Sequence, residues 1–118
     1  MSRVFRVLAA ASLLATASGA FAHAHLQAAE PASGAAVPAP PTVKLHFNEA
    51  VEPAVSVVKV FGPGNLAIET GKTTGAEGDD KTLVTPLPKL QAGEYRLEWS
   101  TMGHDGHRMK GDMHFSVK

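Results

Sequence analysis

The side chains best suited to chemistry in this 118-residue chain are its six histidines, and there is no cysteine to share the work. Five of them crowd toward the two ends. His23 and His25 sit one residue apart in "FAHAHL", His104 and His107 flank Asp105-Gly106 in "MGHDGH", and His114 follows seven residues later. His46 stands alone. Imidazole nitrogen suits Cu, Zn, Ni and Fe, and a square set of N and O donors is characteristic of Cu(II) or Ni(II). The lack of cysteine removes thiolate metal sites and cysteine nucleophiles. No serine lies in a nucleophile context and no phosphate-binding loop is present.

What precedes the first histidine pair decides what that pair can do. "MSRVFRVLAAASLLATASGAFA" has a basic start (Arg3, Arg6), an apolar run of about 11 residues, and small residues ending in Ala20-Phe21-Ala22, the layout of a cleaved secretory signal. The run is far short of the roughly 20 residues a spanning helix needs, and nothing later in the sequence is longer. Cleavage after Ala22 makes residues 1–22 an export signal and His23 the first residue of an exported domain over 23–118. Removing 22 residues from 118 leaves 96, enough for one small domain. Losing Arg3 and Arg6 takes the 11 Lys and Arg to 9 against 11 Asp and Glu. A net charge near −2 gives no electrostatic footprint for nucleic acid or an anionic membrane.

A new N-terminus at His23 offers copper two modes. In one, the free amine, two peptide nitrogens and the imidazole of His25 wrap Cu(II) or Ni(II) in a plane, so that the tail acts alone. In the other, the amine and imidazole of His23 chelate as a pair, and the folded domain completes the square. "GHDGH" supplies partners for the second mode: in an extended segment side chains two apart point the same way, which puts Asp105 and His107 on one side and His104 on the other. An amine, two imidazoles and a carboxylate form an N3O set suited to Cu(II) and poor for Cu(I). Asp105-Gly106 is equally a favoured hairpin-turn pair. His25 stands either above the metal as an outer ligand or as an ordinary exposed polar residue.

The elements that must hold these groups read as strands. "TVKLHF" places Val43, Leu45 and Phe47 on one face, with Lys44 and the outward-facing His46 on the other. "EYRLEWST" alternates Tyr95, Leu97, Trp99 and Thr101 with Arg96, Glu98 and Ser100, and "DMHFSVK" puts Met113, Phe115 and Val117 on one face. "AVSVVKVFGPGN" reads as a β-branched strand ending in a turn, "TLVTPL" as a further strand, "LAIET" and Leu26 to Ala29 as weaker ones. "PASGAAVPAPP" and "GKTTGAEGDDK" read as irregular, exposed connections. No window carries a helical stripe. Around seven short strands predict an all-β fold, a small antiparallel Greek-key β-sandwich of cupredoxin-like or immunoglobulin-like form.

With "EPASGA" following an N-terminal His, "VKLHFNEAVE" after it, and "LPKLQAGEYRLEWSTMGHDGHRMKGDMHFSV" at the end, the exported chain resembles the CopC family of periplasmic copper-binding proteins over essentially its whole length. The resemblance implies a β-sandwich and one Cu(II) per chain, held by the amine and imidazole of His23 with Asp105 and His107. It implies a periplasmic location, a role in copper homeostasis or resistance, and an inner-membrane copper transporter of the CopD kind as partner. The sequence departs from family members that also bind Cu(I) through a methionine-rich loop, since residues 23–101 contain no Met. Met102, Met109 and Met113 remain as soft donors near His104 and His114, although Met113 falls on the core-facing side of its strand.

Three functions compete: a non-enzymatic Cu(II) carrier; a copper-dependent oxidase or polysaccharide monooxygenase, which also uses an N-terminal His; and a structural sandwich with incidental histidines. The oxidase needs an open metal position and a broad substrate platform, and one Trp and one Tyr leave little for that.

Overall fold

The computed structural model describes residues 25–118; the expected export segment 1–22 and the expected ligand His23 lie outside the described residues. Nine strands are present among them: β1 Leu26–Glu30, β2 Ala36–Val37, β3 Thr42–Phe47, β4 Val57–Phe61, β5 Ala67–Ile68, β6 Thr74–Ala76, β7 Asp79–Pro86, β8 Gly93–Met102 and β9 Arg108–Val117. They form two sheets, one in the order β1-β3-β7-β6 and one in the order β2-β9-β8-β4-β5. The all-β sandwich expected from the alternating segments is what the chain builds.

The alternation explains the core. Val43, Leu45 and Phe47 of β3, Tyr95, Leu97, Trp99 and Thr101 of β8, and Met113, Phe115 and Val117 of β9 are buried, while their odd-man neighbours face out. Each large apolar side chain so removed from water contributes ~1.5–3 kcal/mol. Tyr95 stacks on Phe115 with ring centroids 5.4 Å apart, and Phe47 meets Trp99 edge-on at 5.1 Å, joining the two sheets. Trp99 lies opposite Gly111 on β9. A Cβ there would stand 2.6 Å from Cζ2 of the indole, so glycine is what makes room for the ring.

Three local expectations are corrected. Residues 31–41 are not wholly irregular: Ala36–Val37 pairs with the end of β9, and it does so in parallel, the one departure from antiparallel pairing among these strands. The polar run "GKTTGAEGDDK" is no simple connection, because Thr74–Ala76 folds back on β7 as a hairpin that reaches Val84. Its side chains are mostly exposed, so backbone pairing rather than a buried face creates the strand, and no hydrophobic period betrays it. The segment before Val57 begins as a 3-10 turn at Pro53–Val55, since proline at the start offers no N–H to a ladder.

One end of the sandwich is built from residues 25–26, the 48–56 segment after β3, and the β8–β9 turn. Leu26 pairs with Phe47. Val51 forms a bridge with Gly103, and the Glu52 N–H donates to the Met102 carbonyl at 3.0 Å. These contacts bring both histidine-bearing regions to the same end.

Candidate metal centre

Asp105 and His107 sit in the tight turn that joins β8 to β9. The Gly106 N–H donates to the Gly103 carbonyl at 3.0 Å, and the Gly103 N–H donates to the His107 carbonyl at 3.2 Å. Gly106 has φ +82°, a left-handed conformation that glycine adopts without cost. The favoured Asp-Gly turn and the donor pair are therefore the same object. Asp105 is its organiser: Oδ1 accepts the His107 backbone N–H at 3.0 Å and Oδ2 lies 3.1 Å from His107 Nδ1. The expected pairing of the two side chains holds, though the turn and the carboxylate's two bonds bring them together rather than the alternation of an extended segment. A neutral His107 donating from Nδ1 carries its lone pair on Nε2, the form that ligates a metal. The imidazole is 67% exposed.

His104 points elsewhere. Its Nε2 lies 2.8 Å from Glu52 Oε1, so it ties the turn to the 48–56 segment. His25 is exposed, and its backbone is what the structure engages: its N–H donates to Asn48 Oδ1 at 2.5 Å and its carbonyl accepts the Asn48 N–H at 3.0 Å. This clamp fixes where the chain enters the fold. It also competes with the tail-only chelate, in which the His25 peptide nitrogen must leave its hydrogen bond and bind the metal.

Glu49, beside the clamp, adds a donor that residue spacing alone does not single out. Its Oε1 is buried without a hydrogen-bond partner among the described residues. A Cβ placed on Gly103 would lie 2.8 Å from Glu49 Oε1 and 3.0 Å from Asp105 Oδ1, so two carboxylates from separate elements converge over that glycine. A buried carboxylate oxygen is costly unless a cation or donor meets it. Glu49 and Glu52 are legible beforehand only as acids of the "FNEAVE" loop.

The methionines do not assemble. Met113 is buried in the core, Met109 packs against it, and Met102 lies on the opposite face of the sheet, while His114 is exposed on the outer face of β9. Among the described residues no three His, Asp or Glu side chains form a set able to hold a metal ion. Of the expected donors, the described residues bring together Asp105 and His107, with Glu49 beside them.

The CopC domain model matches residues 26–118. The chain is 42% identical over 100 residues to Protein YobA of Escherichia coli K12, covering 83% of this chain and 81% of that protein. It is 37% identical over 118 residues to Copper resistance protein C of Xanthomonas campestris pv. juglandis, covering 95% and 92%. With Copper transport protein CutJ of Bacillus subtilis it shares 31% identity over 82% of this chain and only 18% of that longer protein. The crystal structure of CopC from Methylosinus trichosporium OB3b superposes with a TM-score of 0.76 at 29% identity, over 81% of this chain and 94% of that one.

Proposed function

The chain belongs to the CopC family, and from that membership we propose that it is an exported, periplasmic protein that binds one Cu(II) per chain and sequesters or carries it. The ligands are the α-amine and imidazole of His23 with Asp105 and His107, and the protein is a carrier rather than an enzyme. The observation that carries the reading is the Asp105–His107 pair at the end of the sandwich where Glu49, next to the Asn48 that holds His25, converges with Asp105 over Gly103. Two residues of chain span at most about 7 Å. With His25 held at Asn48 and Glu49 converging with Asp105 over Gly103, a ligand two residues before His25 would have the turn within its reach.

On this reading the export cut does chemistry. In the uncut chain the nitrogen of His23 is an amide; cleavage after Ala22 turns it into an amine, an N–H donor and metal ligand. The amine suits the unpartnered Glu49 oxygen, and His23 supplies the two nitrogens that the turn lacks. The two aromatic residues that an oxidase would need as a substrate platform, Tyr95 and Trp99, are 3% and 7% exposed, which favours the carrier. CutJ, in which a domain like this one is a small part of a longer copper transport protein, supports a membrane copper transporter of the CopD kind as the partner that exchanges the ion.

The experiment is a competitive Cu(II) titration of the chain beginning at His23 beside the same chain with His107→Ala. A loss of affinity by orders of magnitude is expected. Unchanged affinity would mean that the tail holds copper by itself through His25, and the reading would fall.

A further inference from the structure

His25 is the residue over which the two copper modes of the chain start compete. The fold engages its backbone: the N–H donates to Asn48 Oδ1 at 2.5 Å, and the carbonyl accepts the Asn48 N–H at 3.0 Å, while the side chain is exposed. A single residue, Asn48, closes both hydrogen bonds with its side-chain oxygen and its main-chain donor. Both sides of this clamp are anchored. Asn48 directly follows the fully buried Phe47, and Leu26, next to His25, pairs with Phe47 and packs against the core.

The tail-only chelate makes a demand on the same nitrogen. After cleavage at Ala22 the chain begins His23-Ala24-His25. A planar set of the amine, two peptide nitrogens and the imidazole at position three needs the His25 peptide nitrogen to exchange its proton for the metal. The metal then stands in the direction in which the N–H pointed, and in the folded chain Asn48 Oδ1 occupies that direction. The chelate forms only when the His25 backbone leaves Asn48. The set completed by Asp105 and His107 uses the amine and imidazole of His23 and asks nothing of the His25 peptide.

The two modes also differ in the ions they admit. In a set of three nitrogens and a carboxylate, Cu(II) is favoured over Ni(II) by the ordinary affinity order. Four nitrogens in a plane, two of them peptide anions, give Ni(II) a strong-field, low-spin form and narrow that advantage.

We propose that Asn48 is a specificity-determining residue of the copper centre: its hold on the His25 N–H penalises the tail-only chelate, which keeps Cu(II) for Asp105 and His107 and discriminates against Ni(II). Selectivity here comes from a cost placed on the competing arrangement and not from an added ligand. The inference rests on the proposed copper reading and extends it to what keeps those ligands in use.

The test is a pair of competitive titrations, with Ni(II) and with Cu(II), of the chain beginning at His23, followed by visible absorption. The low-spin Ni(II) form should bind roughly five-fold tighter in Asn48→Ala than in the parent, the equivalent of one neutral hydrogen bond. At one equivalent of Cu(II), Asn48→Ala should gain intensity in the blue-shifted band of four-nitrogen coordination. Asn48→Asp retains an acceptor oxygen and should restore the parent's Ni(II) affinity, and Asn48→Ala combined with His25→Ala should lose the low-spin form. Should Asn48→Ala not fold, the parent decides alone: urea frees the tail, so low-spin Ni(II) should bind tighter to the unfolded chain than to the folded one. Equal Ni(II) affinity in the parent and Asn48→Ala, or in the folded and unfolded parent, overturns the inference. His107→Ala judges the copper reading separately. A Cu(II) spectrum indifferent to that substitution sinks the reading and this inference with it, whereas a spectrum changed by it, with Ni(II) indifferent to Asn48, sinks the inference alone.

Discussion

Nε2 of His104 and Oε1 of Glu52 stand 2.8 Å apart, a side-chain tie across the same two segments that the Val51–Gly103 bridge and the Glu52-to-Met102 hydrogen bond already join. The turn that carries Asp105 and His107 is thus docked on its outer flank by a residue adjacent to a proposed ligand. On the proposed copper reading, His104 supports the centre by holding the turn in place.

His104→Ala should therefore weaken Cu(II) binding modestly without altering the ligand set. Both partners are at least half exposed, and pairs of that kind contribute ~0.2–1 kcal/mol, equivalent to at most about a five-fold change. Copper titration should show that small loss, while the EPR parameters of the bound Cu(II) stay those of the parent. A changed EPR spectrum would make His104 a ligand.

Glu49→Gln separates folding from function. The buried, unpartnered Oε1 contributes nothing favourable to the metal-free fold, so a neutral amide should leave the unfolding midpoint equal or raised. Copper affinity of the chain beginning at His23 should fall about ten-fold, since a charge-assisted hydrogen bond from the amine is lost, ~1.5 kcal/mol. A stability loss with unchanged copper affinity would assign Glu49 to the fold alone.

Asp79 gives the acid limb of stability a defined sign. Its carboxyl titrates lower when folded than the ordinary 3.8, held down first by Thr82 and then by the Lys81 N–H. The folded state therefore binds this proton less readily than the unfolded state. The contribution is fully present above 3.8 and is lost as pH falls through the depressed folded value. Asp79→Asn should lower the unfolding midpoint at pH 5 and approach the parent as pH falls from 3.8 through the depressed folded value. A difference that stays constant across that window would show that Asp79 does not titrate there.

Sequence legibility follows from which physical signal each element leaves. β3, β8 and β9 bury one face, so Val43, Leu45, Phe47 and the Tyr95-to-Thr101 series announce themselves by alternation. Thr74–Ala76 and Ala36–Val37 bury almost nothing and exist through backbone pairing, which leaves no mark in side-chain type. Asp105 and His107 are visible as donors two residues apart. Glu49 and Glu52 are not, because their roles depend on a loop meeting a turn more than fifty residues away, and Asn48 is not, because it meets His25 across 23 residues of sequence. His46 reads correctly as outward-facing, yet its ties to Thr82 and Asp79 are set by the β3–β7 register and the start of β7, which no local pattern specifies.

Gly111 and Trp99 supply a test of the core that needs no metal. A Cβ at Gly111 would lie 2.6 Å from Cζ2 and 2.8 Å from Cε2 of the indole, far inside contact distance, and a ring packed edge-on against Phe47 has little room to retreat. Gly111→Ala should destabilise by ~1–3 kcal/mol, the usual cost of forcing atoms into a filled core. Trp99→Phe shortens the ring and removes an indole Nε1 that is buried without a partner among the described residues, so it forfeits packing but no hydrogen bond seen there. The double variant should then lose clearly less than the sum of the two single losses, because each change relieves the other. Chemical denaturation of the four proteins measures the coupling, and simple additivity would show that the clash is absorbed by backbone movement in β9 instead.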